Sequence, residues 1–207
     1  MSRTRVKICG LTREEDVDAA VGAGADAVGL VFYPPSPRFV SIERAKQLSR
    51  RVPPFVSIVG LFVNPEPADV RAVLDAVPIH LLQFHGDEDD GFCRQFGRPY
   101  LKAVRMRPGV DLIHYEASFG SAQALLVDAF VEGFGGGGQT FDWSLIPSGL
   151  TRPLVLSGGL SPANVEEAIR QVRPAAVDVS SGVEAAKGIK DARRIAEFIA
   201  GVCNADG

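Results

Sequence analysis

The sequence predicts an α/β protein folded as a (β/α)8 TIM barrel, one domain over residues 1–207. Three observations carry that reading. Short β-branched or apolar runs alternate with longer amphipathic segments from end to end, the pattern of parallel βαβ units. Eight such units fit in 207 residues, and barrels of roughly 200–250 residues form one domain. The turns best suited to an anion follow the last two strands, where barrels often place a phosphate. A doubly wound open sheet is the rival architecture, but no Gly-x-Gly-x-x-Gly follows the first strand.

The elements follow in order. The first strand is read over 5–9 (Arg-Val-Lys-Ile-Cys). Thr12, with Glu15 three residues on, makes a capping box for a helix over 13–23. Strand 27–32 leads through the stiff loop Pro34-Pro35-Ser36-Pro37-Arg38 to a helix over 41–51. Strand 56–62 and helix 66–76 form the third unit, strand 79–84 and helix 88–97 the fourth, strand 100–104 and helix 109–117 the fifth. Strand 124–128 is followed by a glycine-rich stretch, 133–140, suited to close backbone approach to a ligand, then by a helix over 142–148. Strand 153–157 runs into Gly158-Gly159, and Ser161-Pro162 opens a helix over 162–171. Strand 176–180 carries Asp178 into the turn Ser180-Ser181-Gly182. The last helix, 190–201, repeats Ala192, Ile195, Ala196 and Ile199 at helical spacing.

Composition narrows the class. Hydrophobic residues make up 46% and charged residues 23%, enough for a full core and too apolar for disorder. A formal net charge of −3 gives no global attraction to nucleic acid or an anionic membrane, so any anion binding is local. The N-terminus lacks the apolar core of a signal peptide, and no apolar run reaches the roughly 18 residues of a membrane span. The three cysteines, Cys9, Cys93 and Cys203, are widely spaced; they form neither a metal motif nor a disulfide framework, which fits a reducing cytoplasm. Sequence leaves monomer and homodimer equally open.

In a barrel the chemistry sits at the C-terminal ends of the strands. Cys9 ends the first strand; it reads either as a small buried hydrophobe or as a thiolate base or nucleophile whose pKa is brought down. Asp128 ends the sixth strand; it reads as a cap for the next loop or as a carboxylic acid whose pKa is raised so that it can donate a proton. Asp178 reads as an ion-pair partner or as a contact to a substrate hydroxyl. Arg38 is either solvated or aimed by its rigid loop at a carboxylate, two-pronged. His85, before Gly86, serves a backbone hydrogen bond or lies beside the substrate. Gly158, Gly159, Ser180, Ser181 and Gly182 pair after adjacent late strands, which favours a shared phosphate over two mere turns.

These residues fall within a longer run of motifs: Val-Lys-Ile-Cys-Gly-Leu-Thr at 6–12, Ser-Pro-Arg at 36–38, Gly-Leu-Phe-Val-Asn at 60–64, Leu-Gln-Phe-His-Gly at 82–86, Val-Asp-Ala at 127–129, Gly-Gly-x-Gly-x-x-Phe-Asp-Trp at 135–143, Leu-Ser-Gly-Gly-Leu-x-Pro-x-Asn-Val at 156–165 and Val-Asp-Val-Ser-Ser-Gly-Val-Glu at 177–184, then Gly188 and Lys190-Asp191. In this order, over essentially the whole chain, they resemble the phosphoribosylanthranilate isomerase family of tryptophan biosynthesis. One departure is Phe84, where the family usually has Leu.

The resemblance implies a cytoplasmic, cofactor-free and metal-free Amadori rearrangement of a small phosphorylated substrate, N-(5-phosphoribosyl)anthranilate. It implies Asp128 as general acid, Cys9 as general base, Arg38 on the anthranilate carboxylate, and His85 and Asp178 beside the substrate. The glycine-rich stretch, with Gly136 and Gly138, and the turns at 158–159 and 180–182 would anchor the phosphate. The histidine-pathway barrel isomerase is a rival, but it would be expected to carry Asp where this chain has Cys9 and to need two phosphate ends. A barrel that only binds a phosphorylated ligand is the rival of another class; Cys9 and Asp128 at strand ends speak against it.

Overall fold

A computed structural model describes residues 3–130 and 140–207. Gly136 and Gly138 lie outside the described residues.

Eight parallel strands close into a barrel in chain order: β1 (Arg5–Cys9), β2 (Ala27–Val31), β3 (Ser57–Phe62), β4 (Leu81–Phe84), β5 (Tyr100–Met106), β6 (Ala124–Ala129), β7 (Leu154–Leu156) and β8 (Ala176–Val179). Closure sets Arg5, Val6, Lys7 and Ile8 of β1 against Ala176, Val177, Asp178 and Val179 of β8. The period-two pleat sorts the side chains. Val6, Ile8, Leu82, Phe84, Val127 and Val177 point outward into one continuous core shared with the helices. Leu101, Ala103, Ala124, Leu126 and Val155 plug the barrel interior below the active end. Each strand is therefore buried on both faces, which is why so many of these runs are apolar throughout.

Seven α-helices lie among the described residues: α1 (Glu14–Ala23), α2 (Ile42–Ser49), α3 (Pro67–Ala76), α4 (Asp90–Arg94), α5 (Leu112–Ser118), α6 (Val165–Val172) and α7 (Ala192–Asp206). Four start on a side-chain cap: Ser41, Asp89, Asp111 and Asp191 accept backbone N–H groups of the first turn. No described helix is long and apolar enough to cross a membrane.

Three local expectations are corrected. Thr12 does not cap α1; its hydroxyl donates to the Gly188 carbonyl at 2.6 Å, tying the first loop to the last, and Arg13 stands at the cap position without a side-chain bond. The segment read as a helix over 142–148 is a single 3-10 turn, Trp143–Leu145. Pro147 forces Ile146 out of the helical region, to φ −83° and ψ 115°. Lys190, expected to open the last helix, instead ends a short hairpin strand β10 (Ile189–Lys190) against β9 (Glu184–Ala186), and Asp191 then caps a helix that runs to Asp206.

Phe84, the family departure, is fully buried and outward-facing. Its ring lies 5.8–6.2 Å from those of Phe62, Phe92, Phe96 and Tyr100, so it joins β3, β4, β5 and α4. Edge-on and offset rings at these separations attract beyond simple area burial. Truncating Phe84→Ala is expected to cost about 3–5 kcal/mol in urea unfolding, whereas Phe84→Leu costs less than half of that. Equal losses in the two variants would refute the ring contacts as the source.

Candidate active site

The inward faces of the strands carry the polar residues of the barrel mouth. On β1 the pleat puts Lys7 and Cys9 on the same inward face. Lys7 donates to Asp178 Oδ1 at 2.9 Å; both side chains are at most 6% exposed. Cys9 is buried against Val31, Leu61 and Val63. Its Sγ and the Lys7 Cε converge over Gly29: a β-carbon there would sit 2.8 Å from the first and 3.1 Å from the second. Burial pushes the Cys9 thiol above its ordinary pKa, and the Lys7 ammonium is the chief opposing charge. Sequence reading asks for a thiol moved downward; the structure shows the reverse in the free protein. Burial also works against the Lys7 ammonium, yet Asp178 and then Cys9 carry its pKa above the ordinary value.

Across the mouth, β4 and β6 supply the acid side. His85 Nε2 lies 3.1 Å from Asp128 Oδ2, and its Nδ1 lies 3.1 Å from Gln83 Nε2. Asp128 Oδ1 accepts the Ala129 N–H at 2.9 Å. The His85 side chain thus meets side chains rather than a backbone group; it bridges a glutamine and the candidate acid. Gln83 Oε1 is buried without a partner among the described residues. The turn that carries His85 is fixed from behind. Glu88 accepts the Asn64 N–H at 2.7 Å and the Gly86 N–H at 3.0 Å, and Lys102, itself buried, donates to Glu88 at 2.8 Å and to the Gly86 carbonyl at 2.7 Å.

Arg38 is not solvated. Its Nε and Nη2 donate to the two oxygens of Glu184 at 2.7 and 2.8 Å, and Lys190 donates to the same carboxylate at 2.9 Å and to the Ser180 carbonyl at 3.0 Å. The Nε–Nη2 edge is therefore occupied by Glu184, which leaves the other forked edge, the two Nη1 hydrogens and the second Nη2 hydrogen. Although burial pushes the Glu184 carboxyl up, Arg38 and Lys190 hold it below its ordinary range. Burial pulls the Lys190 ammonium down.

The late turns come together as expected. Gly159, Leu160, Ser161, Asn164, Ser181 and Gly182 line one cavity with Thr140. Gly158 and Gly159 take φ of +86° and +64°, the left-handed region that other residues rarely hold. At Gly182 any β-carbon would overlap the Leu160 carbonyl oxygen, so only glycine lets the two turns touch.

Of the residues singled out from sequence, the structure sets Cys9, Arg38, His85, Asp128 and Asp178 in the barrel mouth. Asp178 is engaged by Lys7, the ion-pair alternative. Sequence reading missed Lys7, Gln83, Glu184 and Lys190 as site residues. Lys7 and Gln83 each stand two positions before a residue it did choose, Cys9 and His85, so strand periodicity held the signal. The other two cysteines lie away from the mouth: Cys93 is buried in α4, which pushes its thiol up to about 12, and Cys203 is exposed on α7.

The chain matches the family N-(5'-phosphoribosyl)anthranilate (PRA) isomerase over residues 6–201. It is 65% identical over 204 residues to N-(5'-phosphoribosyl)anthranilate isomerase of Dechloromonas aromatica (strain RCB), covering 99% of this chain and 98% of that protein. Phosphoribosyl anthranilate isomerase from Thermotoga maritima superposes with a TM-score of 0.90 at 45% identity, covering 97% of this chain and 99% of that one. A phosphoribosyl anthranilate isomerase solved with reduced 1-(o-carboxyphenylamino)-1-deoxyribulose 5-phosphate superposes at 0.85 with 43% identity, again over 97% and 99%. Matches of this identity and extent, on a closed barrel with a thiol and a carboxyl at its mouth, show that the chain belongs to the N-(5'-phosphoribosyl)anthranilate isomerase family.

Proposed function

We propose that Cys9 and Asp128 carry the acid–base chemistry by which this isomerase of tryptophan biosynthesis converts N-(5'-phosphoribosyl)anthranilate to 1-(2-carboxyphenylamino)-1-deoxyribulose 5-phosphate. The observation that carries the assignment is their placement. Each is the inward residue at the C-terminal end of its strand, and the two stand on the same barrel rim as the cavity between the turns at 158–161 and 180–182.

The phosphate enters that cavity, which the turns carrying Gly159, Ser161, Ser181 and Gly182 line. Anchoring this remote end orients the sugar. Asp128 protonates the furanose ring oxygen; the C1–O bond opens and the anilino nitrogen takes up the positive charge as an iminium. Cys9, as thiolate, removes the C2 proton, and the electron pair moves to form the enolamine. Return of a proton at C1 with loss of the O2 proton gives the aminoketose. Arg38, braced on Glu184 through Nε and Nη2, meets the anthranilate carboxylate with its other, Nη1–Nη2 edge.

The Gln83–His85–Asp128 chain suits an acid that must start protonated. With Gln83 Nε2 donating to His85 Nδ1, the imidazole N–H points at an Asp128 carboxylate. Turning the Gln83 amide over gives its unpartnered Oε1 the His85 Nδ1–H, and His85 Nε2 then accepts from an Asp128 carboxylic O–H. The two arrangements differ by the proton that Asp128 delivers.

An anthranilate-fluorescence assay reads the reaction directly: the signal falls as substrate is consumed. Cys9→Ser and Asp128→Asn are each expected to lose about 10²–10⁴-fold in kcat while still binding a reduced product analogue. Near-normal kcat in purified Cys9→Ser would sink the base assignment.

The Glu184 carboxyl, depressed in the folded state, stabilises the protein fully above its unfolded pKa near 4.3. That contribution is lost as pH falls through the folded value. Glu184→Gln, less stable at about pH 6 because it strands Arg38 and Lys190, should lose less of its urea midpoint on going to about pH 3 than the parent does. The same loss in both proteins would contradict the assignment.

A further inference from the structure

Lys7 is a buried cation that the proton-transfer scheme does not use. Its ammonium has three donors, of which Asp178 takes one at 2.9 Å. The next polar group is Cys9, on the same inward face of β1, with the two side chains converging over Gly29. We propose that Lys7, seated by Asp178, is a positioning residue that holds the Cys9 sulfur and sets its ionisation, so that Lys7, Cys9 and Asp178 work as one unit. The proposal rests on the assignment of Cys9 as general base.

The surroundings leave few other groups to do this. Val31 on β2, Leu61 on β3 and Val63 just after it present hydrocarbon to Cys9, and Tyr33, after β2, packs against the same cluster. The charged groups around it are Lys7 on its own strand, Asp178 on β8, Arg38 from the loop after β2, and Lys190 on β10 with the Glu184 that it shares with Arg38. Three cations face two carboxylates, an excess of one positive charge. A thiolate at Cys9 neutralises that excess; a thiol does not. Arg38 and Lys190 are committed to Glu184, whereas the single carboxylate on Lys7 leaves donors to spare. Burial alone drives the thiol toward neutrality, so the cation beside it decides how readily it ionises. Asp178 has two opposed effects: it fixes Lys7 in place, and its own charge disfavours the thiolate.

The test is a titration of Cys9 in the free protein, read as thiolate absorbance near 240 nm after subtracting the same protein carrying Cys9→Ser, which removes Cys93 and Cys203. Lys7→Met should raise the Cys9 midpoint by at least about one pH unit, whereas Asp178→Asn, which removes an opposing charge but also unseats Lys7, should move it less. The rising limb of kcat/KM with pH should move in the same directions. At neutral pH Lys7→Met should lose at least tenfold in kcat with KM little changed. A merely structural role for Lys7 leaves the Cys9 midpoint where it is, and a folded Lys7→Met with an unmoved Cys9 midpoint overturns the proposal. A measurement on the parent protein decides the matter even if neither variant folds: the Lys7 ¹³Cε resonance should step at the Cys9 midpoint, and the step should vanish in Cys9→Ser. No step overturns the proposal. Normal turnover in Cys9→Ser would remove the base assignment while leaving these titrations intact, so the two failures are distinguishable.

Discussion

Closure of the sheet between β1 and β8 is the constraint on which the site depends. The register of that pairing sets Lys7 directly against Asp178. Two opposite charges are thereby held at hydrogen-bond distance with both side chains buried. Removing either partner would strand a charge where water cannot reach it, a penalty of several kcal/mol. The pair therefore locks the register as firmly as the register aligns the pair. It also puts an ammonium beside the only thiol in the mouth and an acidic oxygen within the same layer.

The same logic repeats around the rim with different parts. Arg38, Glu184 and Lys190 connect the loop after β2 to the hairpin after β8. Glu88 and Lys102 brace the turn that carries His85. Each carboxylate accepts from more than one donor, so each loop is held by a satisfied buried network rather than by one exposed ion pair, which would be worth little. Behind these networks the outward core does the mechanical work. Phe84 and its four neighbouring rings fix β4, the strand that aims Gln83 and His85 inward. Polar residues could not have built the frame alone, and apolar ones could not have fixed the polar groups of the mouth.

Much of this was legible beforehand, for identifiable reasons. β1 over 5–9 is seen from its β-branched run, and its bounds agree with the structure. The paired late turns are legible because Gly158-Gly159 and Ser181-Gly182 stand at the ends of apolar strands. Cys9 and Asp128 are legible because a strand end is a position that sequence can locate. The failures are contextual. Lys7 inside a strand carries no local sign that its head finds a carboxylate on a strand 171 residues away. The region of 142–148 has a helical composition, but Pro147 stops it after one turn. Thr12 and Glu15 have the spacing of a capping box, yet the hydroxyl is drawn off by the Gly188 carbonyl, which no short window contains.

Sequence by itself determined the barrel, its order of strands, the strand ends that carry Cys9 and Asp128, and the paired turns after β7 and β8, because pleat periodicity, turn chemistry and strand ends are properties of neighbouring residues. The tertiary structure alone decided which charge faces which: Lys7 with Asp178, Arg38 with Glu184 and Lys190, His85 between Gln83 and Asp128. It also set the sense of the Cys9 ionisation, upward by burial and held in check by Lys7. These depend on the register of ring closure and on the local exclusion of water, and both arise only when distant strands meet.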